Sequence, residues 1–307
     1  MPATNRRNPA TAGDLPALPV RLVESAPAKI NLTLRVYGAR SDGYHHIQSL
    51  VAFADLCDRL ALAPGKPLVL ALRGPFARAA GKRTANSVLK AARLLASEIE
   101  NITLGAFALT KNIPVAAGLG GGSADAAAAL RLLARANRLK SDDPRLAKVA
   151  RSVGADVPVC LDPRARLMSG IGEILSDPLR IPKLHIVLVN PGKPLATRRV
   201  FAAFDQRSPD AANSKPHAPV IPQWRSAFVA MLEAERNDLE PVAVRLIPEI
   251  ADVLGALRDQ AGCQFARMSG SGPTCFGIFP TARAAAAAAR KLKTAHRRWW
   301  VVAAERT

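Results

Sequence analysis

The chain has 307 residues, 49% of them hydrophobic and only 5% aromatic, with a formal net charge of +19; this suits a globular protein of two domains whose cores pack small side chains. No apolar run approaches the length of a membrane-spanning helix, and the leading Arg6-Arg7 is followed by no apolar stretch, so neither an integral membrane protein nor an exported one is expected, and a cytoplasmic location is. Four widely spaced cysteines without a CxxC pair, and five histidines without ligand spacing, exclude a disulfide scaffold and argue against a structural metal.

In chain order, residues 1–20 are rich in Pro and Ala and read as a flexible N-terminal extension. In "AKINLTLRVYG", Ile30, Leu32, Leu34 and Val36 alternate with Lys29, Asn31, Thr33 and Arg35, which predicts one strand with an apolar and a polar face. "DGYHHIQSLVAF" predicts a turn at Asp42-Gly43 and a strand, and "DRLALAP" and "PLVLALRG" predict two more. "NSVLKAARLLASEIE" predicts a helix capped by Asn86, with Val88, Ala92, Leu95 and Ile99 at helical spacing. "GAFALT" reads as a strand, and the alanine-rich stretch after Ser123 as a helix. Asp143 and Pro144 open a further helix that Gly154 closes. "ADVPVCL", "RLMSGIGEIL" and "LHIVLVNPG" read as strands; helices are expected over 196–204, 223–236 and 237–261, with a Pro/Ser/Asn-rich loop over 206–222. "QFARMSGSGPTCFGIF" predicts two strands joined by a small-residue turn, followed by a helix from Thr281 and a last strand, "WWVVAA". The irregular alternation points to an α+β fold in two halves rather than a doubly wound sheet.

The positive residues are scattered, as at Arg35, Arg73, Arg131, Arg180 and Arg245, with one cluster in "RKLKTAHRRWW". This spread argues against nucleic acid as the main partner and suits anionic small molecules.

"NIPVAAGLGGGSADAAAALRLL" sets Gly118, Gly120, Gly121 and Gly122 against the start of a helix. Residues without side chains let backbone N–H groups converge on a ligand, and the first helical turn adds unpaired donors and the positive dipole end; phosphate suits such a place. Gly121-Gly122-Ser123 lacks the lysine of a P-loop, and no βαβ unit with a spaced acid follows to make a dinucleotide fingerprint. A glycine-rich turn with no ligand is the competing reading.

"PVAAGLGGGSA" closely resembles the phosphate-binding motif of the GHMP kinase superfamily. "APAKINLTLRVYGARSDGYHHIQSL" and "GADVPVC" resemble segments of one subfamily, which phosphorylates 4-diphosphocytidyl-2-C-methyl-D-erythritol in non-mevalonate isoprenoid synthesis, and "MSGSGPTCFGIF" resembles the superfamily's C-terminal glycine motif. The resemblance runs from about residue 21 to the end, in order. It implies a two-domain α+β fold, with an ATP- and substrate-binding domain over 21–180, a C-terminal domain over 181–307, and the active site in the cleft between them.

The resemblance further implies transfer of a phosphoryl group from ATP, aided by Mg²⁺, to the 2-hydroxyl of the cytidine-diphosphate-linked methylerythritol. Asp156 matches the catalytic aspartate and Lys29 its partner; a weakly nucleophilic hydroxyl needs a base, and a neighbouring cation favours the ionised forms. ATP is expected on Pro114, Val115, Ala116, Ala117, Gly118, Leu119, Gly120, Gly121, Gly122, Ser123 and Ala124, with Asn86 and Lys111 near the adenine. Tyr44, His45 and Phe201 match positions that stack on or hydrogen-bond the cytosine, and Asn31 and Thr197 are polar contacts. No acidic residue stands out as a dedicated Mg²⁺ ligand, so phosphates and water are expected to hold the metal. Ala124 replaces a serine of many relatives, Asp125 is expected to cap the first turn, with an approach to the metal as the alternative, and Ala116 and Ala117, glycines in some relatives, should avoid left-handed backbone. The bland alternatives are a solvated strand lysine at Lys29, a helix cap at Asp156 and Asn86, and a helix-core aromatic at Phe201. Two rival functions stay open: another kinase of the superfamily acting on homoserine, mevalonate or a sugar, and a non-catalytic basic nucleic-acid binder.

Overall fold

The computed structural model describes residues 22–39, 43–80, 86–206 and 219–305. The N-terminal extension, Asp42 of the expected turn and most of the 206–222 loop lie outside the described residues.

Seven strands form the first sheet: β1 (Leu22–Asn31), β2 (Arg35–Ala39), β3 (His45–Pro64), β4 (Val69–Arg73), β5 (Gly105–Thr110), β6 (Arg166–Ser169) and β7 (Ile174–Leu175). Their order is β4-β5-β3-β6-β7, with β1 and β2 also paired to β3, and only β4–β5 is parallel. Helices α1 (Ser87–Glu98), α2 (Gly121–Ala136), α3 (Pro144–Val153) and α4 (Val157–Leu161) cover one face. The second sheet has the order β11-β8-β10-β9, from β8 (His185–Asn190), β9 (Phe265–Met268), β10 (Cys275–Phe279) and β11 (Trp300–Glu305), all antiparallel. Around it lie α5 (Thr197–Asp205), α6 (Arg225–Ala234), α7 (Glu240–Leu246), α8 (Glu249–Arg258) and α9 (Ala282–Ala295).

Period-2 alternation places the two faces of the second sheet in different cores. Val187, Val189, Cys275 and Phe279 pack with residues of α5, α7, α8 and α9, whereas Ile186, Leu188, Phe276 and Ile278 pack against Ile30, Leu32, Leu50 and Ala52 of the first sheet's region. This shared layer holds the two halves together and fixes the cleft between their edges.

Several elements depart from the local reading. "DGYHHIQSLVAF" and "DRLALAP" are one continuous strand, β3, because β1 pairs with it along most of its length. "AKINLTLRVYG" is broken after Asn31: Thr33 Oγ1 accepts from Leu50 N at 2.9 Å and Ser49 Oγ donates to Thr33 O at 2.5 Å, so side chains share the pairing there with the backbone bond from Leu32 N to Leu50 O. Its polar face is not solvated either, for Lys29, Asn31 and Thr33 are all buried. "ADVPVCL" is a helix, with Pro158 in its first turn and Val157, Pro158, Val159 and Cys160 all buried; a short continuous apolar run cannot be told from a buried strand by periodicity. The expected helix over 237–261 is two, α7 and α8, divided at Ile247-Pro248 because proline lacks the N–H that a continuous helix needs. Asn86 and Asp143 cap α1 and α3 as expected, and Thr281, the expected start of a helix, caps α9; each accepts from a first-turn N–H. All four cysteines are free. Among the described residues no helix is long and apolar enough to cross a membrane.

Candidate active site

A cleft of about 980 Å³ opens between the halves, bounded by the end of β1, the start of β3, the loop before α2, the start of α4, and α5. Of the residues predicted for the site, Lys29, Asn31, Tyr44, His45, Asn86, Lys111, Pro114, Val115, Ala116, Ala117, Gly118, Gly120, Gly121, Gly122, Ser123, Asp156, Thr197 and Phe201 line it. Leu119 and Ala124 do not: each is about 1% exposed, Leu119 in the core between the sheets and Ala124 in the core under α2. A loop that exposes glycines to a ligand must anchor itself by its apolar side chains, and these two supply the anchor. Ser87, Asp205 and Ser271 also line the cleft.

The floor of the cleft carries an ion pair between Lys29 and Asp156. Lys29 Nζ lies 2.7 Å from Asp156 Oδ1, the lysine buried and the carboxylate 39% exposed toward the cleft. Asp156 occupies the N-cap position of α4 yet makes no side-chain capping bond. Its carboxylate is therefore turned to the cleft rather than spent on the helix.

The glycine loop is built against this pair. Lys29 N donates to Leu119 O at 2.9 Å, tying β1 to the loop. Gly120 is the N-cap of α2 with φ of 61°, and a Cβ there would lie 3.1 Å from Lys29 Cβ. Gly118, at φ of 74°, sits so close to the loop after β9 that a Cβ would meet the carbonyl oxygens of Gly272 at 2.7 Å and Ser269 at 2.8 Å. That loop is clasped to the first by Ser269 Oγ donating to Gly118 O at 3.1 Å and Thr274 N donating to Ala117 O at 3.2 Å. No side chain caps α2, so its first-turn N–H groups are left to solvent or an anion. Ala116 adopts a left-handed φ of 52°, contrary to the expectation that it would avoid this region. Such backbone costs an alanine roughly 1–2 kcal/mol, which the clasp from the opposite loop offsets.

Gly120→Ala is predicted to combine left-handed strain with a displaced Lys29 chain. Turnover is expected to fall at least tenfold, with stability lower by about 1 kcal/mol; full activity in a steady-state assay would refute the tight approach.

Beneath the loop, Lys111 Nζ bonds both Asp58 Oδ2 and Asp125 Oδ2, the latter at 2.6 Å, and all three side chains are buried. Asp58 Oδ1 accepts from Asn112 N at 2.5 Å and Ile113 N at 2.9 Å, whereas Asp125 Oδ1 has no hydrogen-bond partner. Asp125 does not cap α2 as expected; its carboxylate faces the Lys111 ammonium from inside the helix's buried face. Burial first, then the Asp58 carboxylate, pushes its carboxyl up from 3.8 to about 7 against the attraction of Lys111.

An acid whose folded pKa lies above its unfolded value binds more protons when native, so stability falls as pH rises from about 4 to 7 and then levels off. Asp125→Asn cannot ionise and should lose that slope. Urea midpoints of both proteins across this range check it; a difference that does not change with pH would sink the assignment.

On the far wall, His45 is stacked on Phe201, with centroids 5.0 Å apart and rings 30° inclined, and its Nε2 is 2.5 Å from Asp205 Oδ1. Thr197 Oγ1 lies 2.9 Å from Ser271 Oγ, so α5 is tied to the loop after β9 at its start and to β3 at its end. Tyr44 is 54% exposed at the rim. Asn31 Nδ2 donates to Ser49 Oγ at 2.7 Å, and Asn86 Oδ1 caps α1 by accepting from Val88 N at 3.0 Å. Asp205 was legible only as the residue four beyond Phe201, a spacing that shares a helix face; Asp58 carried no local signal.

Residues 86–162 match the family described as GHMP kinases N terminal domain, and residues 222–298 match GHMP kinases C terminal. The 4-diphosphocytidyl-2-C-methyl-D-erythritol kinase of Bradyrhizobium diazoefficiens is 54% identical over 286 residues, covering 91% of this chain and 96% of that protein. A crystal structure of a 4-(cytidine 5'-diphospho)-2C-methyl-D-erythritol kinase superposes with a TM-score of 0.73 at 35% identity, covering 93% of this chain and all of that one. The fold is also that of homoserine kinase from Cytophaga hutchinsonii, with a TM-score of 0.66 at 19% identity, covering 93% of each chain. With both family regions in place around a shared cleft, and with relatives this similar over nearly the whole length, the chain belongs to the GHMP kinases and groups there with the 4-diphosphocytidyl-2-C-methyl-D-erythritol kinases.

Proposed function

We propose that the protein transfers the γ-phosphoryl group of ATP to the 2-hydroxyl of 4-diphosphocytidyl-2-C-methyl-D-erythritol, with its active site in the cleft between an N-terminal half, 21–180, and a C-terminal half, 181–307. The observation that carries this reading is the Lys29–Asp156 pair, 2.7 Å apart, facing the uncapped start of α2 across one cleft. Asp156 accepts the proton of the attacking hydroxyl, and Lys29 offsets the negative charge that builds on that oxygen. Gly118, Gly120, Gly121, Gly122 and Ser123 hold the triphosphate by backbone N–H groups and the serine hydroxyl; the missing Cβ at Gly120 lets the loop close directly onto the Lys29 side chain. Asn86 and Lys111 flank the adenine side, Lys111 as a buried counter-ion rather than a free cation.

The Ser87 and Ser123 hydroxyls at the loop, beside phosphate oxygens, suit Mg²⁺, which keeps several waters, and among the described residues no group of three or more His, Cys, Asp or Glu forms a dedicated cage. Mg²⁺ bound with ATP would supply charge neutralisation at the transferring phosphoryl group. Tyr44, His45 and Phe201 would hold the cytosine, with Asn31 and Thr197 on the polar part of the substrate. A cytoplasmic site of action fits this small-molecule chemistry.

The test is ADP release by the purified chain with ATP and Mg²⁺ against a panel of alcohols. Turnover confined to the cytidine-diphosphate-linked methylerythritol is the expected result; turnover only on homoserine, mevalonate or a sugar would overturn the substrate. Salt-dependent binding to random DNA without ADP release would overturn the enzyme reading altogether.

A further inference from the structure

The end of α5 holds a carboxylate that helix stability does not explain. Asp205 is the last residue of the helix, in a last turn without a basic residue, where the negative end of the dipole disfavours an acid. It is half-exposed and so carries no core role, yet it lies 2.5 Å from Nε2 of the buried His45. The same helix fixes the ring itself: Phe201 stacks on it, and Phe204 meets it edge-on at 6.3 Å. Phe201, Phe204 and Asp205 stand at spacings of three and four, one face of one helix. One rigid element thus sets both the plane of the imidazole and the partner of one of its nitrogens.

A carboxylate only accepts, so the Nε2 that faces it carries the proton. A neutral imidazole has a single N–H, and Nδ1 is then an acceptor. We infer that Asp205 is a positioning residue for specificity: it locks His45 in the Nε2–H tautomer, so that the cleft presents an acceptor to the substrate's base and selects an amino group over a carbonyl. This rests on the cytidine reading above, for cytosine carries an exocyclic amino group where uracil carries a carbonyl. A carbonyl set against Nδ1 would place two lone pairs together, and an unpaired acceptor in a partly desolvated site is costly.

The experiment has two arms on the full chain. Nitrogen-15 correlation spectra at about pH 8, above the ordinary imidazole range, with His45 assigned by its absence in His45→Asn, are expected to show the Nε2–H form in the wild type. In Asp205→Ala they are expected to show a tautomer mixture. Kinetically, Asp205→Ala should raise KM for the cytidine-linked alcohol about tenfold, the worth of one hydrogen bond, without moving KM for ATP, and Asp205→Asn, whose amide oxygen still accepts from Nε2–H, should lose less. Asp205→Ala should also narrow the preference for the cytidine over the uridine analogue by about the same factor. Asp205→Glu should restore part of the preference. A wild-type ring in the Nδ1–H or doubly protonated form, or an Asp205→Ala enzyme with unchanged base preference, would overturn the assignment to Asp205 while leaving the kinase reading intact. Absence of wild-type turnover on the cytidine-linked alcohol would overturn that reading itself, and this inference with it.

Discussion

Asp156→Asn is expected to lower kcat about 10³-fold, within the range that a general base contributes, while leaving the Kd for ATP nearly unchanged. The substitution keeps the shape and can still accept a hydrogen bond from Lys29, but it cannot take a proton. Asp156 makes no cap for α4 and is 39% exposed, so little structure depends on its charge. Lys29 differs: it is buried, its backbone holds the glycine loop, and its ammonium ends on Asp156. Residues that act as a unit are not additive, so Lys29→Met combined with Asp156→Asn should cost scarcely more than the worse single change. Pre-steady-state phosphoryl transfer and a nucleotide titration check both statements. An Asp156→Asn enzyme within a few-fold of wild-type kcat would remove the base from the mechanism.

Lys111→Met is expected to destabilise the fold by about 3–5 kcal/mol, the cost of breaking a buried ion pair from one side. Methionine approximates the chain length, so the cavity term is small and the loss reports the missing ammonium between two buried carboxyl groups, one of which must then hold a proton. Asp58 is fully buried and still receives the Asn112 and Ile113 amides, whereas Asp125, with one oxygen already unpartnered, loses the ammonium that holds its other oxygen. Adding Asp125→Asn to Lys111→Met should therefore recover part of the loss. Urea unfolding of the single and double variants gives the two differences; a Lys111→Met midpoint equal to wild type would show that the triad carries no net stabilisation.

What was legible from sequence shares one property: the interactions concerned are local. Asn86, Asp143 with Pro144, and Thr281 mark helix starts because each satisfies an N–H two or three residues away. The glycine run before α2 announces a helix start with no side-chain cap by the same logic, since the donors it leaves open belong to adjacent residues. Where a local signal fits two structures, the reading failed. The short apolar run of α4 could be buried strand or helix, and only packing between α2 and α3 decides it. The break between β1 and β2 depends on Ser49 and Leu50 meeting Thr33 across the sheet. The left-handed Ala116 is tolerated because the loop after β9 clasps the next two residues.

By itself, then, the sequence determined the α+β class, the glycine-rich loop at the start of α2 and, through ordered motifs, the family with its candidate residues. Tertiary structure alone decided which of these meet: Lys29 with Asp156, 127 residues apart in the chain; Lys111 with Asp58 and Asp125; and His45 with Asp205, 160 residues away. The physical reason is range. Caps, turns and periodicity are set by neighbours within one helical turn, whereas burial and opposing charge act through space and depend on how the two sheets pack.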